Sequence, residues 1–272
     1  MRASLWPSYA FENRLLQSLP ADVLQALRPS LTSVRMVTGQ VLIERGEAPE
    51  HVYFLEDGIV ALVADIGGSG TGVQVAMIGR EGMVGGLALL GADALSFARS
   101  MCLIPGAALR ISVAKLLAFL EQHSSLREAC TSHVASLVRQ TMQNAACNAG
   151  NTLAERCARW LLMAHERVDG DEIRITHEAL AMMLGVRRAG VTVVAASLQL
   201  AGLIKVNRGR ITVLDRAGLA AISRDPALIP ESHTGGGEVQ NGQARADQRA
   251  ASPPTVASSQ QASSQQDRVF AA

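Results

Sequence analysis

Two adjacent arginines, Arg187 and Arg188, stand inside the run HEALAMMLGVRRAGVTVVAA, His177–Ala196. A guanidinium at the start of an exposed helix can fork onto guanine or hold a phosphate. The spacing around them predicts two short helices crossing at a tight turn. Thr176 can cap the first helix, and Glu178 lies in its first turn, where the helix dipole favours a carboxylate. Leu180 and Leu184 share a face, and Ala181 is small enough for a second helix to cross closely. Gly185 is the residue that turns most cheaply. After Val186, the residues Val191, Val194 and Leu198 recur at helical spacing and predict an inward stripe, which leaves Arg187, Arg188, Thr192 and Val193 outside. That pattern is a helix-turn-helix, with an ordinary amphipathic pair in an all-α domain as the alternative.

The segment that follows, GLIKVNRGRITVLD (Gly202–Asp215), predicts a strand, a turn at Asn207–Gly209 and a second strand with Ile211 and Val213 inward. Such a hairpin is a β-wing. Residues 179–214 contain no Asp or Glu but hold Arg187, Arg188, Lys205, Arg208 and Arg210, whereas the whole chain carries 25 Lys+Arg against 24 Asp+Glu. Positive charge is thus gathered on one module, which becomes the expected polyanion contact.

Composition narrows the remaining classes. A chain of 272 residues, 48% hydrophobic, can bury more than one core. No apolar run reaches the roughly 18 residues of a membrane helix, and the N-terminus lacks the order of a signal peptide. A cytoplasmic protein with no membrane partner is expected. Cys102, Cys130, Cys147 and Cys157 form no CxxC pair, and the histidines form no HExxH pattern, so no metal or cofactor is expected. No nucleophile–base constellation is visible, and a non-enzyme is expected, although folding could still assemble a Ser/His/Asp set.

The elements that must position the basic module read as an α+β chain. Residues 11–31 predict a short helical opening with Leu15, Leu16, Leu19, Val23, Leu24 and Leu27 as apolar faces and Pro20 starting a turn. Short strands follow at Gln40–Ile43, His51–Leu55, Ile59–Ala64, Gly72–Ile78 and Ala108–Ser112, separated by turns at Gly39, Gly46, Gly58, Gly67–Gly70 and Gly106. They predict a double-sheet jelly roll over 11–122.

From about Leu126 to Asn148 the period changes. Leu126, Cys130, His133, Leu137, Gln140 and Asn144 recur near heptad spacing, with Val134, Val138 and Thr141 widening the face. A helix over 123–150 is expected to pair with a second copy through Val134, Leu137 and Thr141; packing on its own roll is the alternative. Thr152-Leu-Ala-Glu155 is a capping box that starts a further helix, and 151–222 is expected to form a DNA-binding domain. The remainder, 223–272, is rich in Gly, Ser, Gln and Ala and is expected to be disordered.

The segments APEHVYFLEDGIVAL, GREGMVGGLALLGAD, ERCARWLL and LAMMLGVRRAGVTVVAASLQLAGLIKVNRGRITVLD resemble the Crp/Fnr family of bacterial transcription regulators over about residues 11–222. The resemblance implies a cyclic-nucleotide-binding-like sensor, a homodimer joined through the long helix, a two-fold symmetric promoter site on double-stranded DNA, and RNA polymerase as a partner if the protein activates. It places base-reading positions at Arg188, Ala189 and Val193. Ala189 and Val193 cannot hydrogen-bond bases, so the operator is expected to differ from that of cyclic-AMP-responsive members.

The phosphate cassette departs further from the family. It reads Met83-Val-Gly-Gly-Leu-Ala-Leu-Leu, with Gly86 where the resemblance implies a ribose-binding Glu and Ser96 near the implied phosphate-binding Arg. Arg99 lies three residues away, within reach of a loop shift. The candidate ligand pocket is therefore Gly85, Gly86, Leu87 and Arg99, and neither cyclic AMP nor cyclic GMP is the expected ligand. The cysteine cluster of the Fnr type is absent before Cys102. A cyclic-nucleotide-responsive module acting through protein partners is the alternative function.

Overall fold

The computed structural model describes residues 11–65, 72–91 and 94–225, all within one unit, Met1–Glu231. The turn expected at Gly67–Gly70 and residues 226–272 of the expected tail lie outside the described residues.

Among the described residues two short helices come first, α1 (Arg14–Gln17) and α2 (Ala21–Leu27), with Asn13 and Pro20 at their N-caps. Asn13 is wholly buried. Its Oδ1 accepts from the Leu16 N–H at 3.0 Å, and its Nδ2 donates to the carbonyls of Leu55 and Gly82, both at 2.8 Å. One side chain therefore caps a helix and fastens it to the sheet behind. Asn13→Ala removes the cap and leaves two buried carbonyls short of a donor, an expected loss of about 2–4 kcal/mol in urea unfolding. A loss under about 0.5 kcal/mol would mean that water replaces the amide.

The roll consists of β1 (Thr32–Met36), β2 (Val41–Ile43), β3 (His51–Leu55), β4 (Ile59–Asp65), β5 (Gly72–Ile78), β6 (Met83–Val84), β7 (Arg99–Ile104) and β8 (Gly106–Ser112). They form two antiparallel sheets, ordered β1-β8-β3-β6 and β2-β7-β4-β5. Met36, Leu55, Val60, Ile78, Val84, Cys102 and Ala108 fill the space between the sheets. The first sheet turns Val52, Phe54, Leu109 and Ile111 outward onto α1, α2 and two following helices, α3 (Val113–Gln122) and α4 (Ser124–Gly150).

The second sheet is covered on its outer face too, where Ile59, Ala61, Val63 and Met77 join the core of the C-terminal module. Burial on both faces explains why β4 reads IVALVA with no polar alternation. His51–Leu55 and Gly72–Ile78 match expectation to the residue, and the other expected strands shift at their ends. β1, β6, β7 and α3 lie outside the individually expected elements. Ser112 ends β8 and also caps α3, accepting from the Lys115 N–H at 3.4 Å, so no turn residue marks the change.

The long helix α4 turns part of its expected dimer face, Val134, onto its own chain, and leaves Leu137 half-buried and Thr141 exposed. Leu126, Cys130 and Val134 are buried against the roll and α3, and Leu137 packs on the core between the sheets. His133 is buried, its Nε2 accepting from the Met83 N–H at 3.1 Å; burial holds its pKa below the ordinary value. Gln140 accepts from the Met77 N–H at 2.6 Å and Asn144 donates to the Val75 carbonyl at 2.7 Å. Both contacts satisfy the free edge of β5, which has no strand beyond it. The heptad of Leu126, Cys130, His133, Gln140 and Asn144, and Val134 with it, is thus spent within one chain.

The C-terminal module follows: α5 (Leu153–His165), β9 (Glu172–Ile173), α6 (His177–Leu184), α7 (Arg188–Leu200), β10 (Ile204–Asn207), β11 (Arg210–Val213) and α8 (Arg216–Ser223). The capping box forms as expected, with reciprocal bonds between Thr152 and Glu155. The wing is a three-stranded sheet, β10-β11-β9; β9 and α8 lie outside the expected elements. Trp160 Nε1 donates to Gln74 Oε1 at 3.0 Å, and the buried Arg159 pairs with Asp225 at 2.6 Å and bonds Asn144. These bonds join α5 to β5, α4 and the residues just past α8.

Candidate DNA interface and sensor cavity

Local chemistry builds the helix-turn-helix. Thr176 Oγ1 accepts from the Ala179 N–H at 3.1 Å and starts α6. Gly185 ends it at φ 65° and ψ 37°, a left-handed conformation that favours glycine. Arg156 donates to the Leu184 carbonyl, satisfying one acceptor at the helix C-terminus. At Gly190 an added Cβ would stand 3.0 Å from Leu153 Cδ2, so the recognition helix α7 approaches α5 closely. α6 and α7 meet at a bend of 109°, within the usual range for the motif. The inward stripe of α7 is Val191, Ala195 and Leu198; Val194, expected in it, is half-buried at its border.

Arg187, Arg188, Ala189, Thr192 and Val193 all lie on the exposed side. Arg187 is the N-cap and makes no side-chain cap hydrogen bond, while its carbonyl accepts from the Gly190 N–H at 3.0 Å. Arg188 lies 3.9 Å from Glu178 with both side chains exposed, a contact weak enough to release the guanidinium. Thr192 Oγ1 lies 3.2 Å from His177 Nδ1 and bonds the Arg188 carbonyl at 3.1 Å, which holds α7 against the start of α6. Val193 is 70% exposed, a valine with no packing role in the monomer.

On the wing, β10 and β11 pair from Ile204↔Val213 to Asn207↔Arg210, leaving a two-residue turn of Arg208 and Gly209, the latter at φ 72°. Arg208 is exposed at the tip. Arg210 is exposed as well, but it contacts Glu172 Oε1 at 3.1 Å across the sheet. The two wing arginines, alike in sequence, therefore differ in available charge.

The second site is a cavity of about 310 Å3 between the roll and α4. Gly85, Gly86 and Leu87 line it, as expected; Arg99 does not. Its neighbours Ala98 and Ser100 face the cavity, so strand alternation turns Arg99 to the other face of β7, where its Nε meets Glu44 at 3.0 Å. A one-residue slip that brought Arg99 in would expel both neighbours. Ser96 is buried and tied down: its hydroxyl donates to the Ala98 carbonyl at 2.6 Å, and its backbone bonds Gly46 and Glu47. A Cβ at Gly86 would sit 3.1 Å from Met83 Cε and 3.2 Å from Val134 Cγ2, which leaves little room for a carboxylate side chain. Among the described residues the lining holds no charged side chain. These residues do not fit a cyclic phosphate.

Burial pushes the Cys102 thiol up to about 11 and those of Cys130 and Cys157 to about 12. Among the described residues no group of three or more His, Cys, Asp or Glu could hold a metal ion. No single helix among them is long and apolar enough to cross a membrane.

A β-roll joined by a long helix to a winged helix-turn-helix defines a DNA-binding protein with an attached sensor-type domain. Comparison with known families agrees in both parts: residues 33–123 match the cyclic nucleotide-binding domain, and residues 155–222 match the Crp-like helix-turn-helix domain. Together these span more than half of the chain, in that order, and the chain belongs to the Crp/Fnr family of DNA-binding transcription regulators.

Solved structures share the fold. A putative Crp/Fnr regulator from Eubacterium rectale is 18% identical with a TM-score of 0.60, covering 78% of this chain and 98% of its own. FixK2 from Bradyrhizobium japonicum is 15% identical with a TM-score of 0.62, covering 72% and 98%. The c-di-GMP responsive regulator CLP of Xanthomonas campestris is 17% identical with a TM-score of 0.58, covering 71% and 99%. No curated protein matches the chain in sequence.

Proposed function

We propose that this regulator acts as a homodimer on a two-fold symmetric promoter site, placing α7 of each copy in a major groove and each wing on the flanking backbone. The observation that carries this reading is the exposed row Arg187, Arg188, Ala189, Thr192 and Val193 beside the basic wing, in a segment without acidic residues. Arg188 reads a guanine or holds a phosphate, while Ala189 and Val193 offer methyl groups suited to thymine. The protein has no catalytic role, works where the DNA is, in the cytoplasm, and meets RNA polymerase if it activates.

The dimer seam is an exposed row on α4: Ala135, Val138, Met142 and Ala145 follow one another at spacings of three and four. Val138 is 46% exposed and Met142 67%, apolar surface that a second copy would cover. Thr141 flanks this row and Leu137 lies at its edge, while Val134 is buried within its own chain. The division into roll (11–122), long helix (123–150) and DNA-binding domain (151–222) is retained, α3 being assigned to the roll.

A salt titration of a bound promoter fragment tests the wing. Arg208→Ala is expected to weaken all sequences alike and to reduce the slope of log K against log salt by about 1. Arg210→Ala, already paired with Glu172, should change the slope less. Equal slopes for Arg208→Ala and wild type would remove the wing tip from the interface.

A further inference from the structure

The cavity beside α4 carries an inference about the input. Its walls are Ile43, Leu62, Val75, Ile78 and Met83 from the roll with Val134, Leu137, Val138 and Met142 from the helix. The hydroxyls of Ser96 and Thr141 already donate to the carbonyls of Ala98 and Leu137, at 2.6 and 2.9 Å. Phe97, also in the lining, is 79% exposed, and Leu90 and Leu95 on the same connection are exposed as well. A volume of about 310 Å3 is at the lower end of the ~300–1,000 Å3 typical of small-molecule sites. Water is a poor occupant, because each molecule needs two to four polar partners and the walls supply few.

We infer that this cavity binds a small neutral apolar molecule, aromatic or acyl in character, in place of a cyclic nucleotide. This rests on the reading of the roll as the sensor of a DNA-binding dimer. The occupant would touch β4, β5 and, through Val138 and Met142, the row proposed as the dimer seam. Occupancy would thereby bear on how two copies meet and, through them, on the spacing of the two recognition helices.

The test uses the full chain and N-phenylnaphthylamine, a neutral apolar dye whose fluorescence rises on burial. One saturable site per chain is expected, with displacement by decanol and none by cyclic AMP or cyclic GMP in large excess. Leu62→Trp, which fills the cavity from β4, should weaken dye binding at least about tenfold while unfolding stays cooperative. If that variant does not fold, the wild-type displacement series decides alone. Displacement by a cyclic nucleotide, or absence of saturable uptake by a protein that still binds its DNA, overturns the inference. Dye uptake by a protein that binds no DNA supports the cavity assignment and overturns the regulator reading instead.

Discussion

Met142→Glu should convert the protein to a monomer and with it abolish operator binding at concentrations where wild type is saturated. In the dimer the glutamate would be desolvated against the partner helix without a cation, at a cost of several kcal/mol in each copy. That is several powers of ten in the dimer dissociation constant. One winged helix contacts only half of a symmetric site, so the loss carries through to DNA. Met142 also borders the sensor cavity, and Ala145→Glu separates the two effects. Ala145 is exposed in the single chain and lies outside the cavity lining, so a glutamate there has little consequence unless a second helix covers it. Sedimentation of both variants checks this, and dimers that persist in both would move the interface away from α4.

Arg188→Ala should cost about 1–3 kcal/mol in each half-site, or about 2–6 kcal/mol in all, on the preferred operator. It should also relax selectivity at one base pair per half-site. The basis is position: Arg188 opens α7 on its exposed side, and its contact with Glu178 at 3.9 Å is loose. Competition titrations against single-base variants of the operator measure both effects. A uniform loss across all variants would reassign Arg188 to phosphate.

The helix-turn-helix was legible because its determinants are local. Thr176, Gly185 and the stripe through Val191 and Leu198 lie within a short segment, and each does in the fold what its chemistry suggests. The roll was legible in outline only. β7 sits between β2 and β4 in its sheet, yet RSMCLI carries few strand-forming residues, and long-range pairing holds it in place. The passage from β8 to α3 has no turn signal because Ser112 serves both elements.

The dimer face of α4 was less legible, for a different reason. Two rows share the same period, one through Leu126, Cys130, His133, Gln140 and Asn144, the other through Ala135, Val138, Met142 and Ala145. Periodicity cannot say which row meets the roll. The polar members settle it: His133, Gln140 and Asn144 serve backbone groups of Met83, Met77 and Val75, partners that appear only when β5 and β6 are in place. In the sensor, the missing Glu and Arg were readable, whereas the orientation of Arg99 required the strand register that turns it toward Glu44.

Selection of bound sequences from a random DNA pool by the purified full chain tests the central claim most directly. The account predicts enrichment of two inverted half-sites whose centres lie about one helical turn apart, ~34 Å, or a multiple of it, without added cyclic nucleotide. A pool that remains unenriched, or one enriched only in single, unpaired half-sites, would contradict it.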